Sequence, residues 1–307
     1  MSPGSNVIED LKSRGYMARI VPADRLADLR EDIEAGRRDG LYDDELYGAY
    51  LRHFVFGPPA ELRDAKSLVV MATAQSPVRF TFHDGQREVA VTVPPTYLHA
   101  RETDRKAQET LAELLAPAGY RVAPAILPKK LLAVRSGLAA YGRNNVTYVA
   151  GLGSFHRLSA FYTDMPCGGD EWHELAMLDR CGQCRLCQAL CPAGAIGPDR
   201  FLLRAERCIV FHNEKPSDVP FPAWMDPAWH NSLVGCMLCQ GKCPENRGAA
   251  QACREGATFS ADETKLLLAG TAIGQLPASL AEKLEAHDLA DLLEVMPRNL
   301  GVLLGLV

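Results

Sequence analysis

The sequence predicts an α+β protein in three successive parts: a mixed helix and strand domain over residues 1–165, a cysteine-rich module over 166–255 and a short helical segment over 256–307. Three observations lead there. Apolar runs of strand type alternate with segments of helical spacing through the first part. The 10 cysteines are absent before residue 167 and crowd one segment after it. From Ser260 to Val307 the Leu-rich text is helical, broken by Pro277 and Pro297. At 307 residues, 47% hydrophobic and 23% charged, the chain has room for a sizeable core in one large domain or two ordinary ones. Its net charge of −5 excludes a protein that coats nucleic acid along its whole surface. No apolar run approaches the roughly 18 to 20 residues that span a bilayer, and Met1-Ser-Pro-Gly-Ser5 lacks the layout of a secretory signal. A cytoplasmic protein with no membrane partner is expected.

In chain order, Val7 to about Arg38 reads as a helix, a short strand at Met17 to Val21 and a charged helix opened by Pro22-Ala-Asp24. Its Leu26, Leu29 and Ile33 fall at helical spacing, the pattern of a solvated helix lying on a core. Ser67 to Thr73 is a compact apolar strand. Val78 to Phe82 and Glu88 to Val93 flank Asp84-Gly85, a hairpin signal. Thr103 to Leu115 is helical and stops at Ala116-Pro-Ala-Gly119. A helix follows Pro128 to about Ser136, and Val146 to Ala150 and Phe155 to Tyr162 read as strands.

In a reducing compartment, clustered cysteines point to metal rather than disulfides. Cys181-Gly-Gln-Cys184-Arg-Leu-Cys187-Gln-Ala-Leu-Cys191-Pro192 has the C-x2-C-x2-C-x3-C-P spacing of ferredoxins with two 4Fe-4S clusters. In that arrangement the fourth cysteine ligates the other cluster, so a second half must exist. Cys236-Met-Leu-Cys239-Gln-Gly-Lys-Cys243-Pro244 supplies it, with Cys208 upstream as the missing ligand. The crossing rule assigns Cys181, Cys184, Cys187 and Cys243 to one cluster and Cys191, Cys208, Cys236 and Cys239 to the other. Zinc is the competing reading. Three cysteines at consecutive x2 spacing would crowd one ion, and the prolines have no role in that geometry. Cys167 and Cys253 belong to no motif and read as packed or surface thiols.

Between Glu113 and Asp164 there is no acidic residue, while Arg121, Lys129, Lys130, Arg135, Arg143 and Arg157 all fall there. With Ser136-Gly137, Tyr141-Gly142 and Asn144-Asn145, this strip offers close backbone approach and amide donors suited to an anionic ligand or a redox cofactor. Gly151-Leu-Gly153-Ser-Phe-His156 starts like a dinucleotide fingerprint, but His156 stands at the third glycine, which argues against that fold. No Asp-x-His-x-x-Gly segment for a corrinoid lower ligand is present.

An ordered set of segments carries a family resemblance. It comprises Ala65-Lys66-Ser67, Ala133-Val-Arg-Ser-Gly137-Leu-Ala-Ala-Tyr-Gly142-Arg143-Asn144 and Phe161-Tyr-Thr-Asp164, then the first cysteine motif, Arg207-Cys208-Ile209 and Gly235-Cys236-Met-Leu-Cys239-Gln240 with Cys243-Pro244-Glu-Asn246. Over roughly residues 60 to 250 the chain resembles the epoxyqueuosine reductase family, iron-sulfur and cobalamin proteins related to reductive dehalogenases. The resemblance implies a nitroreductase-like α/β domain that binds cobalamin through Ser136, Gly137, Tyr141, Gly142, Arg143 and Asn144. A two-cluster ferredoxin-like module would feed it electrons from an external low-potential donor of ferredoxin or flavodoxin type. The family's Arg-Asp-Tyr-His segment, which bears the catalytic acid, corresponds to Arg101-Glu-Thr-Asp104-Arg-Lys106, so Asp104 is the nearest equivalent donor. His99, Glu102 and Tyr141 stand in reserve, and an Asp at the opening of a helix also serves as a cap. Glu245 replaces the family's Trp, and the helical-repeat extension is missing or reduced to 256–307. These departures leave epoxyqueuosine in tRNA and a paralogous substrate both open. The rival functions are an electron carrier or corrinoid-protein activator without its own substrate, and a family fold without cobalamin. A mere carrier needs no 165-residue α/β domain.

Overall fold

A strand buried on both faces organises the first half of the chain. The computed structural model describes residues 3–247 and 253–306. It begins with α1 (Pro3–Ser13), β1 (Tyr16–Pro22), α2 (Leu26–Arg38), α3 (Asp44–Ala49) and that strand, β2 (Ser67–Ala74). A hairpin of β3 (Val78–His83) and β4 (Glu88–Val93) follows, then α4 (Ala100–Leu115), β5 (Val122–Pro124), α5 (Lys129–Arg135), the short pair β6 (Ala140–Tyr141) and β7 (Thr147–Tyr148), and β8 (His156–Thr163). The sheet order is β1-β2-β8-β5, with each neighbouring pair antiparallel. Leu68, Val70 and Ala72 face α2 and α5, while Val69 and Met71 face α1 and α4. An antiparallel sheet covered on both sides explains why β2 reads as a continuous apolar run rather than an alternating one.

The cysteine module carries three short helices, α6 (Leu186–Leu190), α7 (Ile209–Asn213) and α8 (Leu238–Gly241). After it come β9 (Arg254–Phe259), α9 (Ala261–Leu268), α10 (Ala278–Ala286) and α11 (Met296–Leu303). These last elements share a core with the β3–β4 hairpin, in which Phe80, Phe82, Val91 and Val93 meet Leu267, Leu284, Met296 and Leu300. The Phe82 and Phe259 rings stack with centroids 4.7 Å apart. At the hairpin tip Asp84 accepts the backbone N–H groups of Gln86 and Arg87 and the Arg87 guanidinium, which together hold its pKa at about 2.

Several local readings need correction. Residues 254–259, assigned to the module end and the helical segment, form β9 parallel to β3, so the chain's last part is not purely helical. The strand expected at Val146 to Ala150 is reduced to Thr147–Tyr148, because Gly142 to Val146 closes as a turn with Asn145 at φ 59. The helix expected from Thr103 begins at Ala100. Pro297 does not break a helix; it lies in the first turn of α11, where a missing N–H leaves no bond unmade. Pro277 likewise precedes α10 as its N-cap. No helix among the described residues is long and apolar enough to cross a membrane.

Removing the buried ring of Phe259 should cost about 3–5 kcal/mol. Phe259→Ala should therefore melt well below the parent in a thermal scan. Ile126→Ala, at a side chain 62% exposed, should stay within about 0.5 kcal/mol of it.

Candidate functional site

The thiols fall into two neighbourhoods. Burial raises the Cys181 and Cys187 thiols first, and the charges of nearby thiolates, Cys184 and Cys243 in both cases, raise them further. Burial pushes Cys208 up to about 11, with Cys236 and Cys191 adding to it. Cys239 is raised by burial and then by Cys236, Cys208 and Cys191, and Cys236 by burial and then by Cys191. The fold thus brings Cys181, Cys184, Cys187 and Cys243 together in one place and Cys191, Cys208, Cys236 and Cys239 in another, the second set deeper. The α6 and α8 helices that carry the two motifs pack on each other, which is what crosses Cys243 over to the first set. Among the described residues no three His, Cys, Asp or Glu side chains are placed to hold a single metal ion. A cubane takes one thiolate per iron, so its four ligands stand farther apart than those of one ion.

Cys167 and Cys253 lie outside both sets. Cys167 donates to the Gly169 carbonyl at 2.7 Å and packs beside the α1–α4 core, and Cys253 sits at the start of β9.

The acid-free strip is the seam between the sheet domain and these thiols. The Arg143 guanidinium donates to the carbonyls of Cys181 and, at 3.2 Å, Cys184. Asn144 Nδ2 donates to Tyr148 Oη at 3.0 Å and to the Cys239 carbonyl at 3.4 Å. Asn246 Oδ1 accepts the Ser154 N–H at 2.8 Å, and its Nδ2 donates to Ser154 Oγ and the Gln240 carbonyl, both at 2.9 Å. Tyr141 N–H donates to the Ala176 carbonyl at 2.9 Å and its carbonyl accepts from Leu178 N–H at 2.9 Å. Of the residues expected at a corrin, Tyr141 and Asn144 border the cavity described next. Ser136 caps α5 by donating to the Ala133 carbonyl, and Gly137 packs against His173. At Gly142 a Cβ would lie 2.5 Å from Asn144 and Tyr148, so this glycine lets the seam close.

A cavity of about 690 Å³ lies between the strip and the deeper thiols, within the size range of cofactor pockets. Cys191, Cys208, Cys236 and Cys239 line one side; Lys129, Lys130, Asn145 and Arg157 line another, with apolar walls from Leu131, Leu158, Ile196 and Ile209. Among the described residues Asn145 Nδ2 is buried without a hydrogen-bond partner. The strip's cations have separate fates. Arg121 pairs with Asp64 and Asp164, Arg135 with Asp32, and Arg157 and Lys129 with Asp104. Among the described residues Lys130 makes no ion pair, and its side chain stands exposed on the cavity wall. Desolvation there lowers its pKa.

Asp104 is the fifth residue of α4 rather than its cap, a place taken by His99 at φ 54. Burial raises its carboxyl, but donation from Arg157 and Ser159 and the charges of Lys129 and Arg157 outweigh that and hold it below the usual range. In the reserve set, His99 and Glu102 form a half-exposed pair at 3.6 Å, and burial raises Tyr141. Gly151 and Gly153 turn directly into β8, with no helix for a pyrophosphate, and His156 is the first residue of that strand. It also lines the cavity, and burial pushes its ring down to about 4, between the Gly153 carbonyl and Thr147 Oγ1. Reading the sequence missed Tyr97 and Glu214 as cavity residues, since no motif marks them; Lys130 and Asn145 were visible only as part of the strip.

Two outcomes are expected. Arg143→Ala frees the carbonyls of the Cys181 loop, so iron content should fall toward about four per chain from the roughly eight of two clusters. His156 binds a proton more readily unfolded than folded, so lowering pH from about 6.5 to 4 should remove stability on the order of 3 kcal/mol that His156→Gln does not lose, as read from denaturation midpoints at each pH.

Comparison with known proteins places these features. Residues 180–246 match the family described as a 4Fe-4S double cluster binding domain. The epoxyqueuosine reductase of Pseudomonas aeruginosa is 33% identical over 152 residues, covering 47% of this chain and 40% of that protein. That of Xanthomonas campestris is 33% identical over 177 residues, 55% and 47% of the two chains. The alignments thus span less than half the length of these curated relatives. A selenomethionine-labelled epoxyqueuosine reductase structure superposes with a TM-score of 0.68 at 21% identity over 98% of this chain and 80% of that one. The enzyme from Streptococcus thermophilus superposes at 0.65 and 16% over 99% and 81%. A further epoxyqueuosine reductase solved with an epoxyqueuosine-modified tRNA-Tyr stem loop superposes at 0.64 and 21% over 98% and 80%. The chain therefore has the mixed α/β fold of the epoxyqueuosine reductases, resembles them in sequence and carries a 4Fe-4S double cluster binding domain.

Proposed function

We propose that this protein is an iron-sulfur reductase of the epoxyqueuosine reductase type, with cobalamin held in the cavity beside the deeper thiol set. One observation carries the reading: Cys191, Cys208, Cys236 and Cys239, ligands in the crossed assignment, line the cavity that the cationic strip faces. An electron carrier would need the thiols but not a cavity of about 690 Å³ next to them. When bound, the clusters supply one-electron transfer and the corrin supplies a cobalt centre for reductive cleavage of a carbon–oxygen bond.

The residues present fit a corrin in two respects. The walls combine apolar side chains with a few convergent polar groups, and Asn145 Nδ2 and Lys130 Nζ are donors that a ligand rich in amides and a phosphate would satisfy. Tyr141 and Asn144 would flank the ligand, while Gly142 and Arg143 would act at one remove by holding the cluster loops. Asp104 fixes Lys129 and Arg157 on the wall. The less buried set of Cys181, Cys184, Cys187 and Cys243 would face an external low-potential donor of ferredoxin or flavodoxin type. Epoxyqueuosine in tRNA is the substrate the resemblance favours.

The test is anaerobic reconstitution with iron, sulfide and hydroxocobalamin. About eight iron atoms per chain, labile sulfide and a retained corrin spectrum are expected, followed by conversion of epoxyqueuosine in tRNA on chemical reduction. Zinc without sulfide would sink the cluster reading. Full iron without corrin would move the protein to the carrier class. Cys243→Ser should injure the cluster that Cys181→Ser injures, while Cys191→Ser and Cys208→Ser should injure the other, as seen by Mössbauer and electron spin resonance spectra.

A further inference from the structure

The cavity needs an acid, and Asp104 is committed as an anion to Arg157, Ser159 and Lys129. Two carboxyl residues line the cavity among the described residues, Asp43 and Glu214. Asp43 is the N-cap of α3, its oxygen accepting the Leu46 N–H at 3.0 Å. Glu214 has no such duty. It follows α7 directly, and its carboxylate oxygen accepts the phenol of Tyr97, a second cavity residue.

Both groups are held in place. Asn213, next to Glu214, clamps Gly235 through N–H and carbonyl at 3.0 and 2.7 Å, and Asn299 Nδ2 donates to the Asn213 carbonyl at 2.7 Å. A Cβ at Gly235, φ 73, would lie 2.6 Å from the Tyr97 ring, so the ring seats directly on the loop before Cys236. Gln75 bridges the Tyr97 turn, its Oε1 accepting Thr96 N–H at 3.0 Å and its Nε2 donating to the Leu98 carbonyl at 2.5 Å. Thr96 sits there at φ 82, a conformation a β-branched residue adopts only where its surroundings impose it.

We propose that Glu214, hydrogen-bonded to Tyr97, is the proton donor of the cavity. This rests on the reductase reading above. In the step, two electrons from the low-potential donor and two protons turn the epoxide into an alkene and water: both carbon–oxygen bonds break, the Glu214 O–H bond breaks as the first O–H bond forms on the departing oxygen, and solvent supplies the second proton. The Glu214 carboxylate left behind is stabilised by the Tyr97 phenol and the Lys130 ammonium, and it regains a proton from water in the cavity. Around Glu214 stand Tyr97 from the turn after β4, Lys130 from α5 and Tyr50 from the end of α3; Lys215 beside it is paired with Glu45. Burial raises the Glu214 carboxyl above its usual value against the lowering effects of Tyr97 and Lys130, so it holds its proton where an ordinary carboxyl has lost it.

Infrared difference spectra of the reconstituted protein across pH test the assignment without turnover. A protonated-carboxyl band should titrate above the ordinary value of about 4.3, vanish in Glu214→Gln, persist in Asp104→Asn and move to higher pH in Tyr97→Phe. A band absent from the wild type, or unaltered in Glu214→Gln, overturns it. With epoxyqueuosine tRNA, Glu214→Gln should lower kcat about 100-fold or more at unchanged iron and corrin content, with Glu214→Asp recovering part of it. Undiminished turnover in Glu214→Gln overturns the donor role. A wild type that shows the band but reduces no epoxyqueuosine refutes the substrate reading and leaves Glu214 supported as the cavity's acid.

Discussion

The polar seam between residues 141–154 and the cysteine loops is the constraint on which the rest of the site depends. Ser154, Gln240 and Asn246 satisfy one another's donors and acceptors in a buried network, and Arg143 and Asn144 hold backbone carbonyls of Cys181, Cys184 and Cys239. Buried polar groups are costly unless paired, so this network admits one docking of module on sheet domain and penalises a shifted one. That docking places the deeper thiols on the cavity wall.

The sheet domain supplies the seam with a rigid base. Because β2 pairs on both edges and is covered on both faces, β8 is fixed against it over eight register pairs from Ser67↔Thr163 to Ala74↔His156. The strip leads into β8 through the Gly151–Gly153 turn, so its position is inherited from the sheet. Cations that looked like a single electropositive surface are divided by this geometry. Arg121 and Arg135 serve the scaffold, Arg143 serves the cluster loop, and Lys129, Lys130 and Arg157 face the cavity.

Charge around the cavity is arranged by position rather than by composition. Asp104 and Glu214 are both carboxyls near lysines, yet guanidinium and hydroxyl donors hold the first as an anion while burial with a single phenol donor raises the second. The difference is the number and kind of donors each can reach, which favours the charged form in one place and desolvates it in the other.

The sequence by itself determined the elements whose signals are local: the apolar strand at 67–74, the Asp84-Gly85 hairpin, the amphipathic helix through Leu26, Leu29 and Ile33, and the two cysteine motifs, in which successive ligands lie within a few residues of one another. It did not determine β9, whose Arg254-Glu-Gly-Ala-Thr-Phe259 has weak strand propensity and becomes a strand only because β3 offers an edge. Nor did it show that Arg143 serves the Cys181 loop, or that Tyr97, Lys130 and Glu214, far apart in the chain, meet around one cavity. Hydrogen bonding along a short segment is written in residue type and spacing. The pairing of distant polar groups and their burial arise only when the layers close on one another, and that closure decided which side chains became scaffold and which face the cavity.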